Sequence, residues 1–464
     1  MNLEFHGAVR TVTGSAHLLR VGDKNFLIDC GMFQGPHYLE ERNQLPFYFD
    51  PNMLDAVLLT HAHIDHSGLI PKLYKDGYRG PVHATRATVD LAQIMLLDSA
   101  HIAERDAIDH NRRARRKGHP MIRPIFTTEE ASQSLEQLVS HKYEDVLELA
   151  PGITAVFRDA GHILGSAFIE MTVRTEEGEK RITFSGDVGN KDQALIRDPF
   201  KPNRTDVLLI ESTYGDRQHR PRTDTLAELA DILIEAWRDR GNVIIPSFAV
   251  GRTQEILYRL RELSEEGRLP GFNVYVDSPL AINATEIVRN NPQCYDDETI
   301  FEITGLGNDP LLVPNLRFTR DARESIAIND DEKPSIIISA SGMCTAGRIL
   351  HHLKHNLWRR ECHIVFVGFQ AEGSLGRMLV DGAPRVKIFG QEIVAAAHIH
   401  TIGGLSAHAD RDGLLEWIAP ALHKKTKVFV VHGEEEAATS FAASVKKEFG
   451  NPAVVPTWHE IARF

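Results

Sequence analysis

The chain has 464 residues, with 52 lysines and arginines against 64 aspartates and glutamates, so its formal net charge is −12 when histidine is neutral. Its 42% hydrophobic and 25% charged residues exclude a mainly disordered protein, no apolar run approaches the roughly 20 residues of a membrane span, and we expect no secretory signal. The acidic balance argues mildly against nucleic-acid binding, although bound cations or a local basic groove can attract phosphate.

In the first 208 residues, short apolar runs broken by Gly, Pro and Asn predict strands. These runs are 16–20, 25–29, 55–60, 153–157, 167–173 and 180–184. A helical stretch follows His66, and residues 87–116 predict a long helix. Its end carries the basic run 112–117, which we interpret as a solvated helix end, with an RNA-backbone contact as the alternative.

From about residue 206 the pattern changes to short apolar runs typical of parallel strands. These runs are 206–210, 242–246, 273–276, 335–339 and 363–367. Helical patterns at 225–238 and 253–266 lie between them, and this alternation predicts βαβ units and a mostly parallel sheet. A helix at 412–418, a buried strand at 427–431 and a helix ending at 449 follow.

The four cysteines, Cys30, Cys294, Cys344 and Cys362, have no Cys-x-x-Cys spacing, which argues against a sulfur-ligated zinc site. They are too few for a disulfide framework, so we expect buried thiols and a cytoplasmic location. Histidine is more informative, because many of the 23 histidines occur in short clusters.

The strongest chemical signal is the sequence Thr-His-Ala-His-Ile-Asp-His at 60–66, directly after a predicted strand. Residues two apart on an extended segment point the same way, so His61 and His63 can bind one metal ion. The chain then turns, and Asp65 and His66 can face a second ion. Imidazole and carboxylate ligands suit Zn²⁺, with Mn²⁺, iron or Co²⁺ as alternatives.

Further ligands must come from other strand ends or turns. Three residues stand in such places: His162, Asp187 and His432. Taken singly, a residue at a strand end is more often a cap or a surface residue. Together with the 60–66 motif, these three predict a complete metal centre.

The order of these residues resembles the metallo-β-lactamase superfamily, which implies an α/β fold with an αββα sandwich. Because 245 residues separate Asp187 from His432, the chain resembles the β-CASP branch, in which a parallel-sheet domain of βαβ units is inserted into the sandwich. We therefore expect residues 1–208 and 393–464 to form the core and 209–392 to form the β-CASP insert. The branch includes the nuclease subunit of cleavage and polyadenylation specificity factor and its short prokaryotic homologues.

The resemblance implies a centre of two zinc ions, with Mn²⁺ as a substitute. The implied ligands are His61, His63 and His162 for one ion, Asp65, His66 and His432 for the other, and Asp187 bridging both. Asp29 would orient the ligand loop without binding metal. His408 resembles motif B and would be the general acid, while Glu211 resembles motif A and would fix its tautomer. The implied catalytic residues are thus His408, Glu211, Asp187 and Asp65.

The implied activity is hydrolysis of RNA, mainly endonucleolytic, leaving a 5′-phosphate and a 3′-hydroxyl. Histidine at motif C, His432, resembles the RNA-processing members rather than the DNA-repair members. We expect single-stranded RNA as partner and, on general grounds, a homodimer. The insert would hold RNA through Gly-rich turns and nearby side chains: Ser247, Phe248, Arg252, Ser341, Arg348, Phe369, Gly373, Ser374 and Arg377. Tight turns that pack the two domains together explain these glycines almost as well.

Three other functions stay open. A small-molecule hydrolase such as a thioesterase or lactonase would use the same metal fold, but it would not explain a long insert. A non-catalytic RNA-binding scaffold would not need the full ligand set. A DNA nuclease is the third alternative.

Overall fold

The computed structural model describes residues 1–175, 178–220, 222–331, 333–368, 370 and 373–464. The chain forms two compact units, and each is built from separate segments of the sequence. The first unit comprises residues 1–191, 198–218 and 408–464, and the second comprises 192–197 and 219–407. The domain boundaries expected from the sequence, 208/209 and 392/393, remain predictions.

Two seven-stranded sheets make up the first unit. The first sheet has the strand order Ile461–Arg463, Asn2–Phe5, His17–Val21, Lys24–Ile28, Ala56–Leu58, Val82–Thr85 and Leu138–His141. The second has the order Ala453–Val454, Lys427–Val430, Val207–Ile210, Gly178–Phe184, Ala167–Thr175, Ile153–Asp159 and Val146–Ala150. The strands predicted from apolar runs are confirmed.

The two sheets face each other across an apolar core. Along the strand Val207–Ile210, Leu209 faces this core, whereas Leu208 faces the opposite side, which the helices Arg411–Ile418 and Glu435–Phe449 cover. This alternation follows from the two-residue period of a strand. Full burial of a leucine contributes about 1.5–3 kcal/mol. The αββα sandwich predicted from the resemblance is confirmed.

Three neighbouring strands of the second sheet place acidic and histidine side chains at one edge. Gly178–Phe184, Val207–Ile210 and Lys427–Val430 lie side by side and run parallel. The carboxyl ends of parallel strands meet at the same edge of a sheet. Asp187, Glu211 and His432, which follow these strands, therefore emerge together.

The helices of the first unit include one of 32 residues, Arg86–Lys117. The others are His37–Glu40, Ile64–Ser67, Ile70–Lys75, Thr128–Ser134, Arg411–Ile418 and Glu435–Phe449. The long helix begins at a Thr85 cap and ends at Gly118, whose φ of 67° suits glycine. Its last turns expose Arg112, Arg113, Arg115, Arg116 and Lys117 to solvent, as predicted. Among the described residues, no helix combines the length and apolarity needed to cross a membrane.

The second unit is built on a six-stranded sheet in which every pair is parallel. Its order is Leu316–Phe318, Asn273–Val276, Ser335–Ser339, Val243–Pro246, His363–Phe366 and His398–Thr401. Its helices are Arg222–Arg238, Arg252–Glu265, Pro279–Arg289, Asp297–Leu306, Ala322–Ala327, Ile349–Asn356 and Leu375–Val380. The predicted parallel sheet of βαβ units is confirmed. A small antiparallel hairpin pairs Arg385–Ile388 with Gln391–Val394, and its second strand agrees with the strands expected after about residue 389.

A buried carboxylate ties several elements of the second unit together. Asp277 follows the strand Asn273–Val276 and is fully buried. It accepts hydrogen bonds from the hydroxyls of Thr319 at 2.7 Å and Ser325 at 2.6 Å. Arg348 donates to it at 2.7 Å, and Nε2 of His352 lies 2.6 Å away. Arg348 and His352 belong to the helix Ile349–Asn356 and its N-cap, Ser325 to the helix Ala322–Ala327, and Thr319 follows the strand Leu316–Phe318, so Asp277 fixes the relative positions of these three segments.

Candidate metal centre

One buried carboxylate, that of Asp29, shapes the loop that carries the 60–66 motif. Its Oδ1 accepts from the backbone N–H of Thr60 at 2.8 Å, and its Oδ2 lies 2.7 Å from Nδ1 of His66. Close packing fixes the loop further, since a Cβ on Gly31 would stand only 1.7 Å from the carbonyl oxygen of Asp65. With Nδ1 held by Asp29, His66 turns its Nε2 toward the other ligands.

The first candidate group joins four side chains from three loops. Nε2 of His61 lies 3.1 Å from Nδ1 of His63, which lies 3.3 Å from Nε2 of His162. The Oδ2 atom of Asp187 is 3.4 Å from Nε2 of His61 and 3.5 Å from Nε2 of His162. These four atoms converge on one point, as the donor atoms around a single ion do.

Close backbone contact brings the loops of His162 and Asp187 together. A Cβ on Gly189 would lie 1.6 Å from the carbonyl oxygen of Gly161, so only glycine fits there. The hydroxyl of Ser166 accepts from the backbone N–H of His162 at 2.9 Å and closes its turn. The glycines around both predicted ligands thus have a structural cause.

The second candidate group lies on the other side of Asp187. Nε2 of His432 is 3.1 Å from Nε2 of His66 and 3.5 Å from Oδ2 of Asp65. The Oδ1 atom of Asp187 is 3.2 Å from Nε2 of His66, and it is buried with no hydrogen-bond partner in the described chain. Asp187 therefore turns one oxygen to each group, as a bridging ligand would.

The donor spacings fit metal ions. A tetrahedral zinc ion with bonds of about 2.0–2.1 Å separates its ligand atoms by about 3.3–3.4 Å. The spacings quoted for the two groups run from 3.1 to 3.5 Å. Burial lowers the pKa of His61 and of His162 well below the usual range, and that of His63 to about 4. These rings are neutral at pH 7 and offer lone pairs to a cation.

His66 differs, because two carboxylates face it. Burial by itself would lower its pKa, but Asp187 and Asp29 outweigh burial and raise the pKa well above the usual value. The same two carboxylates would attract a cation to this part of the site.

Beside the ligands, a buried carboxylate holds a further histidine. Oε1 of Glu211 accepts from the backbone N–H of Val188 at 2.7 Å and lies 3.1 Å from Nδ1 of His408. Burial by itself would lower the pKa of His408, but Glu211, with a smaller effect from Asp187, raises it to about 9. His408 is therefore protonated at neutral pH, with its Nδ1 held by Glu211.

Sequence reasoning missed one residue that links the two parts of the site. The hydroxyl of Thr213 lies 2.6 Å from Oε2 of Glu211 and 3.2 Å from Nδ1 of His432. A hydroxyl has one proton, and the carboxylate takes it, so Nδ1 of His432 must be the donor to Thr213. Nε2 of His432 then carries the lone pair toward Asp65 and His66. The sequence contained a signal for this contact, since Thr213 stands only two residues after Glu211, the residue that resembles motif A.

The predicted substrate-binding residues lie in the second unit, after neighbouring parallel strands. Ser247 follows Val243–Pro246, and Ser341 follows Ser335–Ser339. The backbone N–H of Gly376 donates to the carbonyl of Met343 at 3.2 Å, which brings the turn of Gly373 and Ser374 to the same edge. The hydroxyl of Ser374 caps the following helix. Phe369 lies outside the described residues.

The cations predicted to hold RNA already have partners. Arg252 is buried and paired with Glu255, and Arg348 is bound to the Asp277 hub described above. Arg377 contacts Asp381 at 2.9 Å and is more exposed. Phe248 is the exposed aromatic of this edge.

Comparison with known proteins agrees with this geometry. Residues 9–247 match the metallo-beta-lactamase superfamily, 253–379 the Beta-Casp domain, and 392–456 the Zn-dependent metallo-hydrolase RNA specificity domain. The chain is 41% identical to ribonuclease TTHA0252 of Thermus thermophilus, over 93% of this chain and 92% of that protein. It is 31% identical to transcription termination factor FttA of Methanocaldococcus jannaschii, over 98% of this chain and 70% of that protein.

The fold has a distant match as well. A crystal structure of a protein of unknown function from Enterococcus faecalis superposes with a TM-score of 0.55 at 15% identity, covering 99% of both chains. That likeness concerns the fold alone. The models that match in chain order cover both the core and the insert. The chain therefore belongs to the metallo-β-lactamase superfamily, in its β-CASP branch.

Proposed function

We propose that this chain is a zinc-dependent ribonuclease that cleaves single-stranded RNA, mainly endonucleolytically, and leaves a 5′-phosphate and a 3′-hydroxyl. The observation that carries the proposal is the contact of His408 with Glu211 at 3.1 Å beside the two groups of metal-binding side chains. An alkoxide leaving group needs a proton, and His408 can supply it. The name of the Thermus relative and the RNA specificity model support RNA as the substrate.

Two zinc ions are proposed, one for each group, with Mn²⁺ as a substitute. The proposed ligands are His61, His63 and His162 for one ion, Asp65, His66 and His432 for the other, and Asp187 for both. Two bound zinc ions would lower the pKa of a bound water to about 7 and neutralise charge on the phosphoryl oxygens.

The protein side chains perform the proton transfers. Asp65 is the most exposed carboxylate of the cluster, at 20%, so it is placed to take a proton from the attacking water. His408 donates a proton from Nε2 to the departing 3′ oxygen, while Glu211 keeps the imidazolium stable through Nδ1. Asp29 stays out of the reaction and keeps His66 and Thr60 in place.

The insert is proposed to hold the RNA backbone at the turns after its parallel strands. Ser247, Arg252, Ser341, Gly373, Ser374 and Arg377 are the candidates. Because Arg252 is buried in an ion pair, its part would be to shape the turn, whereas Arg377 can reach phosphate. We also propose a homodimer, on general grounds. We further propose a cytoplasmic location, which the four free, buried cysteines support.

A thioesterase or lactonase remains the second candidate. A thiolate leaves without a proton donor, so a thioesterase has little use for the pairing of Glu211 and His408, and neither a thioesterase nor a lactonase would explain the long insert. A scaffold without activity would not need seven donor atoms held at ligand spacing.

The test uses the purified full chain and an end-labelled single-stranded RNA. In Zn²⁺ or Mn²⁺ we expect internal cuts whose products carry a 5′-phosphate and a 3′-hydroxyl. His63→Ala should abolish cutting, and His110→Ala, which changes an exposed histidine of the long helix, should leave it intact.

A DNA strand of equal sequence and a thioester serve as rival substrates. Faster hydrolysis of the thioester than of RNA would overturn the proposal in favour of a small-molecule hydrolase. Faster cleavage of the DNA strand would identify a DNA nuclease. RNA binding without cleavage, unchanged by His63→Ala and by metal removal, would identify a scaffold.

A further inference from the structure

A separate cluster of three histidines lies within the second unit, on two paired strands. His363 begins the strand His363–Phe366 and is directly opposite His398 of the edge strand His398–Thr401. The rings of His363 and His398 stack at 4.7 Å, and those of His363 and His400 at 5.1 Å. His398 and His400 are two apart on one strand, so both face the same side of the sheet.

Two carboxylates from the end of the helix Arg222–Arg238 approach the same side. The Oδ2 atom of Asp239 lies 3.6 Å from Nε2 of His363. Glu235 is near enough to act electrostatically on both His363 and His400. One ligand atom from each of Asp239, His363 and His398 falls within 4.8 Å of the other two.

The buried member of this cluster has an unsatisfied nitrogen. His363 is completely buried, and its Nε2 makes no hydrogen bond within the described chain. A separation of 3.6 Å from Asp239 is too long for a hydrogen bond. A buried polar atom without a partner is costly, by about 1–3 kcal/mol, and calls for an explanation such as an ion.

The protonation of the histidines leaves a lone pair at that nitrogen. Nδ1 of His363 lies 2.9 Å from Nε2 of His400, close enough for one shared proton. When Nδ1 of His363 donates that proton, its Nε2 presents a lone pair to the carboxylate of Asp239. A cation between them satisfies both groups.

We propose that Asp239, His363 and His398 form a zinc-binding site in the insert, separate from the catalytic ions. Two imidazoles and a carboxylate are a ligand set that Zn²⁺ prefers, and water or Glu235 would be the fourth ligand. Because His363 is fixed by burial while Asp239 and His398 are exposed, the two exposed side chains can adjust around the ion. The ion would tie the end of the helix to the edge strand of the sheet.

The test is a count of zinc ions on the full chain. Metal-depleted protein is dialysed against a fixed micromolar concentration of free Zn²⁺, and bound zinc per chain is measured by mass spectrometry. We expect the double variant Asp239→Asn/His398→Asn to bind one ion fewer than wild type. RNA cleavage should be retained, because neither residue belongs to the proposed catalytic centre.

A matched double variant, Asp231→Asn/His355→Asn, changes the same residue types at exposed positions of the insert and should bind as much zinc as wild type. Equal zinc content in wild type and in the Asp239/His398 variant would overturn the proposal. Anomalous diffraction at the zinc edge from zinc-soaked crystals gives an independent readout. We expect a peak between Asp239, His363 and His398, and its absence would also overturn the proposal.

Discussion

Thr213→Val tests whether one hydroxyl couples the acid pair, Glu211 and His408, to the second group of candidate ligands through His432. Valine has nearly the shape of threonine but removes the hydroxyl that lies 2.6 Å from Glu211 and 3.2 Å from Nδ1 of His432. His432 then loses the hydroxyl that accepts its Nδ1 proton, and the next acceptor, Oδ1 of Asp187, lies 3.4 Å from Nδ1. Its Nε2 is no longer held as a free lone pair beside Nε2 of His66 at 3.1 Å.

The expected loss falls on the second ion. Removing the partner that orients a ligating histidine typically costs about 10–100-fold in metal affinity, which corresponds to about 1.4–2.7 kcal/mol. Competition between the protein and a chromophoric zinc chelator measures this loss without any assay of cleavage. Glu211 keeps its donor from the backbone of Val188 at 2.7 Å, so it stays in place beside His408.

Two further variants make the experiment decisive. Thr213→Ser restores the hydroxyl and should return zinc affinity to the wild-type value. Thr205→Val removes a buried hydroxyl that bonds the backbone of Arg181 at 2.8 Å, away from the ligands, and should not change zinc affinity. If Thr213→Val binds both zinc ions as tightly as wild type, the assignment of the His432 tautomer is wrong, whereas the nuclease proposal stands.

Three other predictions concern the acid pair and the buried carboxylate of the insert. His408→Ala should slow RNA cleavage by about 10²–10⁴-fold, the range for a general acid, with zinc content by mass spectrometry unchanged; loss of zinc would instead make His408 a ligand. Because Glu211 helps raise the pKa of His408 to about 9, the rate of cleavage should fall as pH rises through about 9. In Glu211→Gln the same fall should occur at lower pH; a pH–rate profile that does not move would contradict the role of Glu211. Despite burial, hydrogen bonds from His352 and from the Ser325 and Thr319 hydroxyls lower the pKa of Asp277 to about 2 from 3.8. The ionised carboxylate therefore stabilises the folded state by about 2 kcal/mol above pH 4, and this stabilisation is lost as the pH falls from 4 through 2. Urea unfolding of metal-depleted protein between pH 6 and pH 2.5 should show this loss in wild type and a smaller one in Asp277→Asn.

The strands and the ligand motif were predictable because local sequence determines them. Apolar runs marked the buried strands, and the histidines at 61, 63 and 66 follow one of those runs directly. The convergence of His162, Asp187 and His432 was expected from their places at strand ends or turns together with the 60–66 motif, and the family resemblance then assigned them to two ions. Spacing alone does not reveal it, since 245 residues separate the last two.

Features that depend on tertiary pairing were not predictable. The opposition of His363 and His398 follows from the register of two parallel strands 35 residues apart, which no local pattern specifies. The burial of Arg252 is similar, because tertiary packing sets it, although its partner Glu255 is only three residues away in the same helix. The contact of Thr213 with His432 likewise joins neighbouring strands.

The position of the insert in the sequence explains how Glu211 and His408 come to lie side by side. Val207–Ile210 and Lys427–Val430 are adjacent parallel strands, and any such pair needs a crossover, for which a single helix would suffice. Here the crossover contains residues 219–407, the main part of the second unit. Glu211 lies where the chain leaves the sheet, and His408 lies where it returns, paired in a short bridge with Gly189. Nearby, the backbone of Arg411 bonds that of Arg217 at 3.0 Å and joins the outgoing and returning segments. Because the chain leaves and returns between adjacent strands, Glu211 and His408 come together although 197 residues separate them in the sequence.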